Sequence, residues 1–329
     1  MKREILQNSP PVIRDFLTYN EAIKGKSTLS VNEYYCDLLI FFRYILMQRG
    51  MVPKDTPFEE IDISSVNIEL IKTITTSDLY SFLVFCKNER DNNTATRARK
   101  TSTLRIFFKY LSANTHQIDQ NPALMLEAPK VKQSLPKHLT LEDSIELLNS
   151  VEGNNAKRDF CILTLFLNCG LRLSELCSLN LNDIKSDNTM VVTGKGNKER
   201  LVYLNEACIN AINDYLAVRP HDSLPITEKN ALFISRNHRR ISNKTVQHIV
   251  KTYLEKSGLG GMGYSTHKLR HTAATLMYQH GNVDIRVLQD ILGHANLGTT
   301  QIYTHVSDKQ IKHAVDANPL SNIKQKKQQ

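Results

Sequence analysis

The 329 residues of this chain suffice for about two domains, each long enough to bury a core without disulfide or metal staples. With 41% hydrophobic and 23% charged residues, and no apolar run near the roughly 18 residues of a membrane span, the composition excludes a membrane-spanning chain and points to a soluble, cytoplasmic protein. A surplus of 42 Lys and Arg over 33 Asp and Glu, net +9, favours a polyanionic partner.

Residues 1–115 read as helical throughout, with apolar residues at three-to-four spacing over 12–23, 30–49, 77–87 and 95–112. Gly50 and Pro53 end the second of these helices, and 57–75, which mixes β-branched residues with turn formers, reads as loosely structured. The fourth helix and its approach carry Lys87, Arg90, Arg97, Arg99, Lys100, Arg105 and Lys109, with only Glu89 and Asp91 against them locally. Leu104, Phe107, Phe108 and Leu111 would face a core and leave the basic side free, either as a plain solvated face or as a DNA-backbone contact. Residues 116–139 place Pro122, Pro129 and Pro136 among Lys130, Lys132, Lys137 and His138, which breaks any continuous helix and reads as an extended basic linker.

A second domain, 140–329, opens on Thr140-Leu141-Glu142-Asp143, the pattern of a capping box. An apolar helix over 160–168 runs to Gly170, a helix-ending residue, and Arg172 then stands alone between Leu171 and Leu173. A charge so placed is either paired or used, and Glu175 lies within reach to pair it. Two β-like runs, 190–193 and 201–204, flank Gly194-Lys195-Gly196-Asn197-Lys198-Glu199-Arg200 and predict a hairpin whose glycine-rich turn presents Lys195 and Lys198. A basic turn with Arg239 and Arg240 precedes a helix that Ser242 or Asn243 would cap, and is either an ordinary exposed turn or a further backbone-contacting edge. The six cysteines, Cys36, Cys86, Cys161, Cys169, Cys177 and Cys208, sit mostly in apolar runs without C-x-x-C spacing and read as small buried hydrophobes, not as a disulfide framework or a zinc site.

Ser265 or Thr266 would cap a helix over 265–280 that puts Leu269, Ala273, Leu276, Met277 and His280 on one side and His267, Arg270 and His271 on the other. The polar side is either solvated or, lying in a first turn where unpaired N–H groups favour an anion, a phosphate site. A zinc helix would need Glu directly after the first His, where Lys268 stands. Residues 284–292 predict another helix closed by Gly293, and Thr299 or Thr300 would cap a last one carrying Tyr303 and His305, before a polar tail broken by Pro319.

Taken together, Gly170-Leu171-Arg172-Leu173-Ser174-Glu175-Leu176, the Gly194–Arg200 turn, His267-Lys268-Leu269-Arg270-His271, Leu292-Gly293-His294 and Tyr303-Thr304-His305 resemble the tyrosine recombinase/integrase (phage integrase) family, most closely its Xer-type branch. The resemblance spans about 140–306, while 1–112 share only length and a helical, basic character with the family's core-binding domain. It implies a mostly α, two-domain DNA clamp with a small β-hairpin sheet, acting as a site-specific recombinase through a 3′-phosphotyrosyl intermediate and a Holliday junction. By resemblance Tyr303 is the nucleophile, Arg172 and Arg270 grip the phosphate, Lys195 protonates the departing 5′-oxygen, His267 assists proton transfer, His294 binds the phosphate, and Glu175 and His271 support them. It implies no metal, cofactor or ATP. The partner would be duplex DNA bearing a recombination site, gripped in part by Arg97, Arg99, Lys100, Arg105, Arg239 and Arg240, in a homotetramer or a heterotetramer with a related recombinase, at the nucleoid. Chromosome partition and mobile-element integration, excision or inversion all stay open, as do two alternatives: type IB topoisomerase-like strand relaxation and a non-catalytic DNA-binding accessory protein.

Overall fold

Side-chain caps set the helix starts in the first part of the chain: Ser27 accepts from the Ser30 N–H, Asn93 from that of Thr96, and Thr75 and Asp78 form a reciprocal capping box. The computed structural model describes residues 9–130, 137–194, 197–221, 224–280 and 284–293. It divides into two units, Met1–Gln133 and Ser134–Gln329.

The first unit holds α1 (Pro11–Thr18), α2 (Thr28–Gln48), α3 (Ile68–Lys72), α4 (Thr76–Asn88) and α5 (Thr94–Lys109), with single π-helical turns at Tyr19–Ile23 and Tyr110–Asn114. Its centre is a phenylalanine cluster, in which Phe41 meets Phe42, Phe82 and Phe108 edge-on with ring centroids 5.1 to 6.3 Å apart. The segment 57–75 is more ordered than its composition suggests. It forms a 3₁₀ turn and α3, and buries Ile61, Ile63, Val66, Ile71 and Ile74 in this core, because its β-branched residues find an apolar surface no local pattern reveals. The proline-rich segment also contributes: Ile118, Ala123 and Leu126 are buried with the first unit, and Thr76 donates to the Pro122 carbonyl, so these residues are not free linker.

The second unit contains α6 (Leu141–Asn149), α7 (Ala156–Cys169), α8 (Leu173–Ser178), β1 (Thr189–Thr193), β2 (Glu199–Tyr203), α9 (Glu206–Leu216), α10 (Asn243–Lys256), α11 (Thr266–His280) and α12 (Ile285–Leu292). Thr140 and Asp143 form the expected capping box, and Ser242 caps α10. β1 and β2 pair antiparallel, Thr189 opposite Tyr203 and Thr193 opposite Glu199, so the described fold is mostly α with one small hairpin sheet. Helix α7 is the hub, apolar nearly all round, with α9 and α11 packed on it. The chain enters this unit through Leu139, fully buried, whose backbone N–H donates to the Thr272 hydroxyl of α11 at 2.9 Å. Five of the six cysteines are buried and Cys36 is exposed. No helix among the described residues is long and apolar enough to cross a membrane.

Candidate active site

The site begins where α7 must stop. Gly170 takes a left-handed backbone, φ +59°, that an L side chain adopts only with strain, and a Cβ there would meet Leu292 Cδ2 at 2.9 Å. The turn exposes the Gly170 carbonyl, which accepts from Arg270 Nη1 at 2.6 Å. Leu171 drops into the core, and Arg172, extended at φ −74° and ψ 151°, is the N-cap position of α8. An arginine has no acceptor, so the cap is completed in reverse: Glu175 turns back and accepts from the Arg172 backbone N–H at 2.7 Å.

Glu175 is the focus of three arginines. With 1% of its surface exposed, its carboxylate accepts from Arg172 Nη1 at 2.6 Å and from Arg200 Nη1 and Nη2 at 2.7 and 2.9 Å, and Arg270 Nη1 lies 3.8 Å away. Burial pushes its carboxyl upward, but the fork from Arg200 and the Arg172 backbone and side chain outweigh that and hold it at about 2. The arginines differ in access. The Arg270 side chain is 3% exposed, its Nη2 donating to the Leu292 carbonyl at 2.6 Å. It therefore sits at the electronegative C-terminal ends of both α7 and α12. The Arg172 side chain is 36% exposed, held by Glu175 and by the Gly293 carbonyl at 3.2 Å, with an edge toward solvent.

The two imidazoles of α11 face each other, His267 Nε2 to His271 Nε2 at 3.0 Å with rings 83° apart. Such a contact has one donor and one acceptor, so a single proton lies between the rings. The His267 pKa is lowered, first by loss of water and then by Arg270, Lys268 and Arg172, which favours the neutral base. Of the face read as solvated or phosphate-binding, Arg270 at 2% and His271 at 8% are buried while His267 is exposed, and His280, grouped with the apolar side, is exposed as well. Arg270 is covered by the ends of α7 and α12, whose Gly170 and Leu292 carbonyls it binds.

The hairpin reaches the same place. The Gly194 N–H closes its turn on the Lys198 carbonyl at 2.8 Å, and a Cβ on Gly194 would lie 3.4 Å from Glu175 Oε1. Lys198 is exposed. Lys195, His294 and Tyr303 lie outside the described residues, as does the expected final helix. Sequence reasoning quoted Arg200 without giving it a task, although strand alternation puts it on the inward side with buried Val202.

The six basic residues read as DNA contacts separate. Arg105 and Arg239 are exposed, and Arg97 is half-buried against Thr94. The expectation of a wholly free basic face is corrected at Lys100. It is 3% exposed and pairs with buried Asp37 of α2 at 3.1 Å, where Arg99 also binds at 2.5 Å, a partner far away in sequence. Arg240 is likewise engaged: its guanidinium donates to the Cys177 and Leu179 carbonyls and to Asn180 Oδ1, tying the turn to the end of α8. Among the described residues no cluster of three or more His, Cys, Asp or Glu is placed to hold a metal ion.

Comparison with known proteins matches residues 137–310 to the phage integrase family and 61–115 to the N-terminal SAM-like domain of phage integrases. The chain is 53% identical over 312 residues to the tyrosine recombinase XerC of Caldanaerobacter subterraneus subsp. tengcongensis, covering 95% of this chain and 88% of that protein. It is 33% identical to the tyrosine recombinase XerD of Proteus mirabilis, over 88% of this chain and 95% of that one. In fold it is similar to a XerH site-specific recombinase bound to palindromic difH substrate in a post-cleavage complex, with TM-score 0.69 and 22% identity over 93% of this chain and 84% of that chain. A Tn1549 transposon integrase in complex with circular intermediate DNA gives TM-score 0.69 at 18% identity, covering 93% and 99%.

Proposed function

We propose, from the premise that this chain belongs to the phage integrase family and is a Xer-type tyrosine recombinase that recombines DNA at specific sites, that it cuts and rejoins strands through a covalent 3′-phosphotyrosyl link on Tyr303. The observation that carries this reading is the meeting of Arg172 and Arg270 over the buried Glu175 carboxylate, beside His267, which is biased toward the neutral form and contacts His271.

In this reading the scissile phosphate lies against the open edge of Arg172, with Arg270 behind it, so that planar guanidinium donors meet the charge that builds on the non-bridging oxygens. A phenol with a pKa near 10 is a weak nucleophile at neutral pH and needs a base beside a cationic pocket. Tyr303 attacks phosphorus as its proton passes toward His267, with His271 as the second ring of the relay. The bond to the 5′-oxygen breaks, and Lys195 on the hairpin turn supplies that oxygen's proton. His294, following Gly293, binds the phosphate. Attack by a partner strand's 5′-hydroxyl reverses the steps, so the phosphotyrosyl ester stores the bond energy and no nucleotide is consumed.

The first unit acts as the core-binding domain, with exposed Arg99 and Arg105 as backbone contacts, and the second as the catalytic domain, with exposed Arg239 as a further contact. Strand exchange proceeds through a Holliday junction in a tetramer of this chain, or of this chain with a related recombinase, in the cytoplasm at the nucleoid. The family membership does not favour the topoisomerase-like or accessory readings. The test incubates the protein with duplex fragments from the source genome, nicked so that the short 5′-hydroxyl strand is lost after cleavage. Adducts that survive denaturing detergent with the wild type and vanish with Tyr303→Phe are expected. Adducts indifferent to Tyr303→Phe, or none despite retained DNA binding, would overturn the reading.

A further inference from the structure

We infer that Arg200 is a positioning residue for DNA cleavage: its guanidinium fixes the orientation of the Glu175 carboxylate that holds Arg172, and pins the hairpin to the end of α12. The inference deepens the proposed function and rests on it.

A carboxylate offers two oxygens with about two acceptor sites each. Arg200 takes one on each oxygen in a side-by-side fork, at 2.7 and 2.9 Å, which fixes the plane of the carboxylate and leaves Oε1 for Arg172 Nη1 and Oε2 for the Arg172 backbone. A single hydrogen bond would let the carboxylate pivot, and Arg172 with it. Its Nε donates to the Ile291 carbonyl at 3.2 Å. The arginine stem lies against Gly293, where a Cβ would meet Arg200 Cδ at 2.9 Å, so a left-handed glycine at φ +62° leaves the room it occupies. One guanidinium thus joins three elements: β2, whose turn carries Lys195; α8, capped at Arg172; and the end of α12, which leads to His294.

Stability alone is a poor reason for this arrangement. A buried ion pair often contributes no more than apolar side chains of the same shape, whereas its orientation is hard to replace. Lysine, with a compact ammonium, cannot reproduce the fork. The charged groups facing Glu175 are Arg172 from its own helix, Arg200 from β2 and Arg270 from α11. Loss of Arg200 removes the strongest opponent of burial, so the Glu175 carboxyl rises and becomes protonated at a higher pH.

The experiment measures single-turnover cleavage of the nicked DNA against pH, with DNA affinity and melting temperature alongside, for wild type, Arg200→Lys, Arg200→Met, Glu175→Gln and the Arg200→Met/Glu175→Gln double variant. Arg200→Met should slow cleavage by about 10²-fold, the loss that follows when a reacting group is displaced by an ångström, while affinity changes by less than about threefold. Its acidic limb should move to higher pH. Arg200→Lys, which keeps the charge and serves if the Met variant folds poorly, should recover only part of the rate. In the Glu175→Gln background Arg200→Met should cost little more, and that limb should not move. A rate loss that merely tracks melting temperature or DNA affinity with an unmoved pH limb, or full rescue by lysine, overturns the inference. Wild-type adduct formation through Tyr303 with unimpaired Arg200→Met sinks this inference alone, whereas no wild-type adduct sinks the function beneath it.

Discussion

Glu175 ties the acid stability of the second unit to its chemistry. Its carboxyl stands at about 2 in the fold and near 4.3 in an unfolded chain, so it contributes about 3 kcal/mol that is fully present above the unfolded value and lost as pH falls through the folded one. Unfolding free energy measured from pH 6 to 2 should drop most steeply between about 4 and 2, and Glu175→Gln should flatten that slope. Glu175→Ala, leaving three guanidiniums without their anion, should destabilise by about 3–5 kcal/mol in denaturant titrations. Arg172→Ala leaves a partly exposed site and should fold, abolish adduct formation and keep most DNA affinity, because affinity comes from many Lys and Arg contacts. Equal loss of binding and cleavage would contradict that role. At this scale the Arg172–Glu175 pair was legible because its partners share one turn of sequence. Asp37 beneath Lys100 and the carbonyls around Arg240 were not, since nothing local marks a partner brought in by the fold.

Elements were read more surely than faces. The Thr140–Asp143 box, Gly170, the hairpin and Gly293 all announce themselves by residue type, because caps and left-handed turns have few chemical solutions. Helix α11 shows what periodicity cannot say: on one polar face His267 is exposed while Arg270 is buried against the ends of two other helices. Gly170 offers the sharpest test. Gly170→Ala forces a β-carbon into the left-handed region and against Leu292, within 3.9 Å of Arg270 Cγ. It should cost about 1–2 kcal/mol and reduce single-turnover cleavage more than DNA binding, since the Gly170 carbonyl holds Arg270. Unchanged cleavage would show that Arg270 holds its place without that carbonyl.

At the scale of the whole molecule, the two units keep separate apolar clusters, one around Phe41 and Phe107 and the other around Phe166 and Leu269. Cores with no shared cluster favour independent unfolding, so calorimetry should resolve two transitions. Phe41→Ala, about 3–5 kcal/mol, should lower one and leave the other in place; a single transition moving as a whole would refute this. The helical, basic character of the first unit was legible, but the extent of its core was not, because Ile118 and Leu126 lie among prolines that read as spacer. The junction has a mechanical side as well. As the chain enters the second unit, Lys137 donates to the Met262 carbonyl, the His138 carbonyl accepts from the Tyr264 hydroxyl, and the Leu139 N–H then donates to Thr272, in the middle of the helix that bears Arg270 and His271. That bond is a backbone anchor on the helix itself, so a change in the path of the chain at Leu139 is passed straight to the middle of α11.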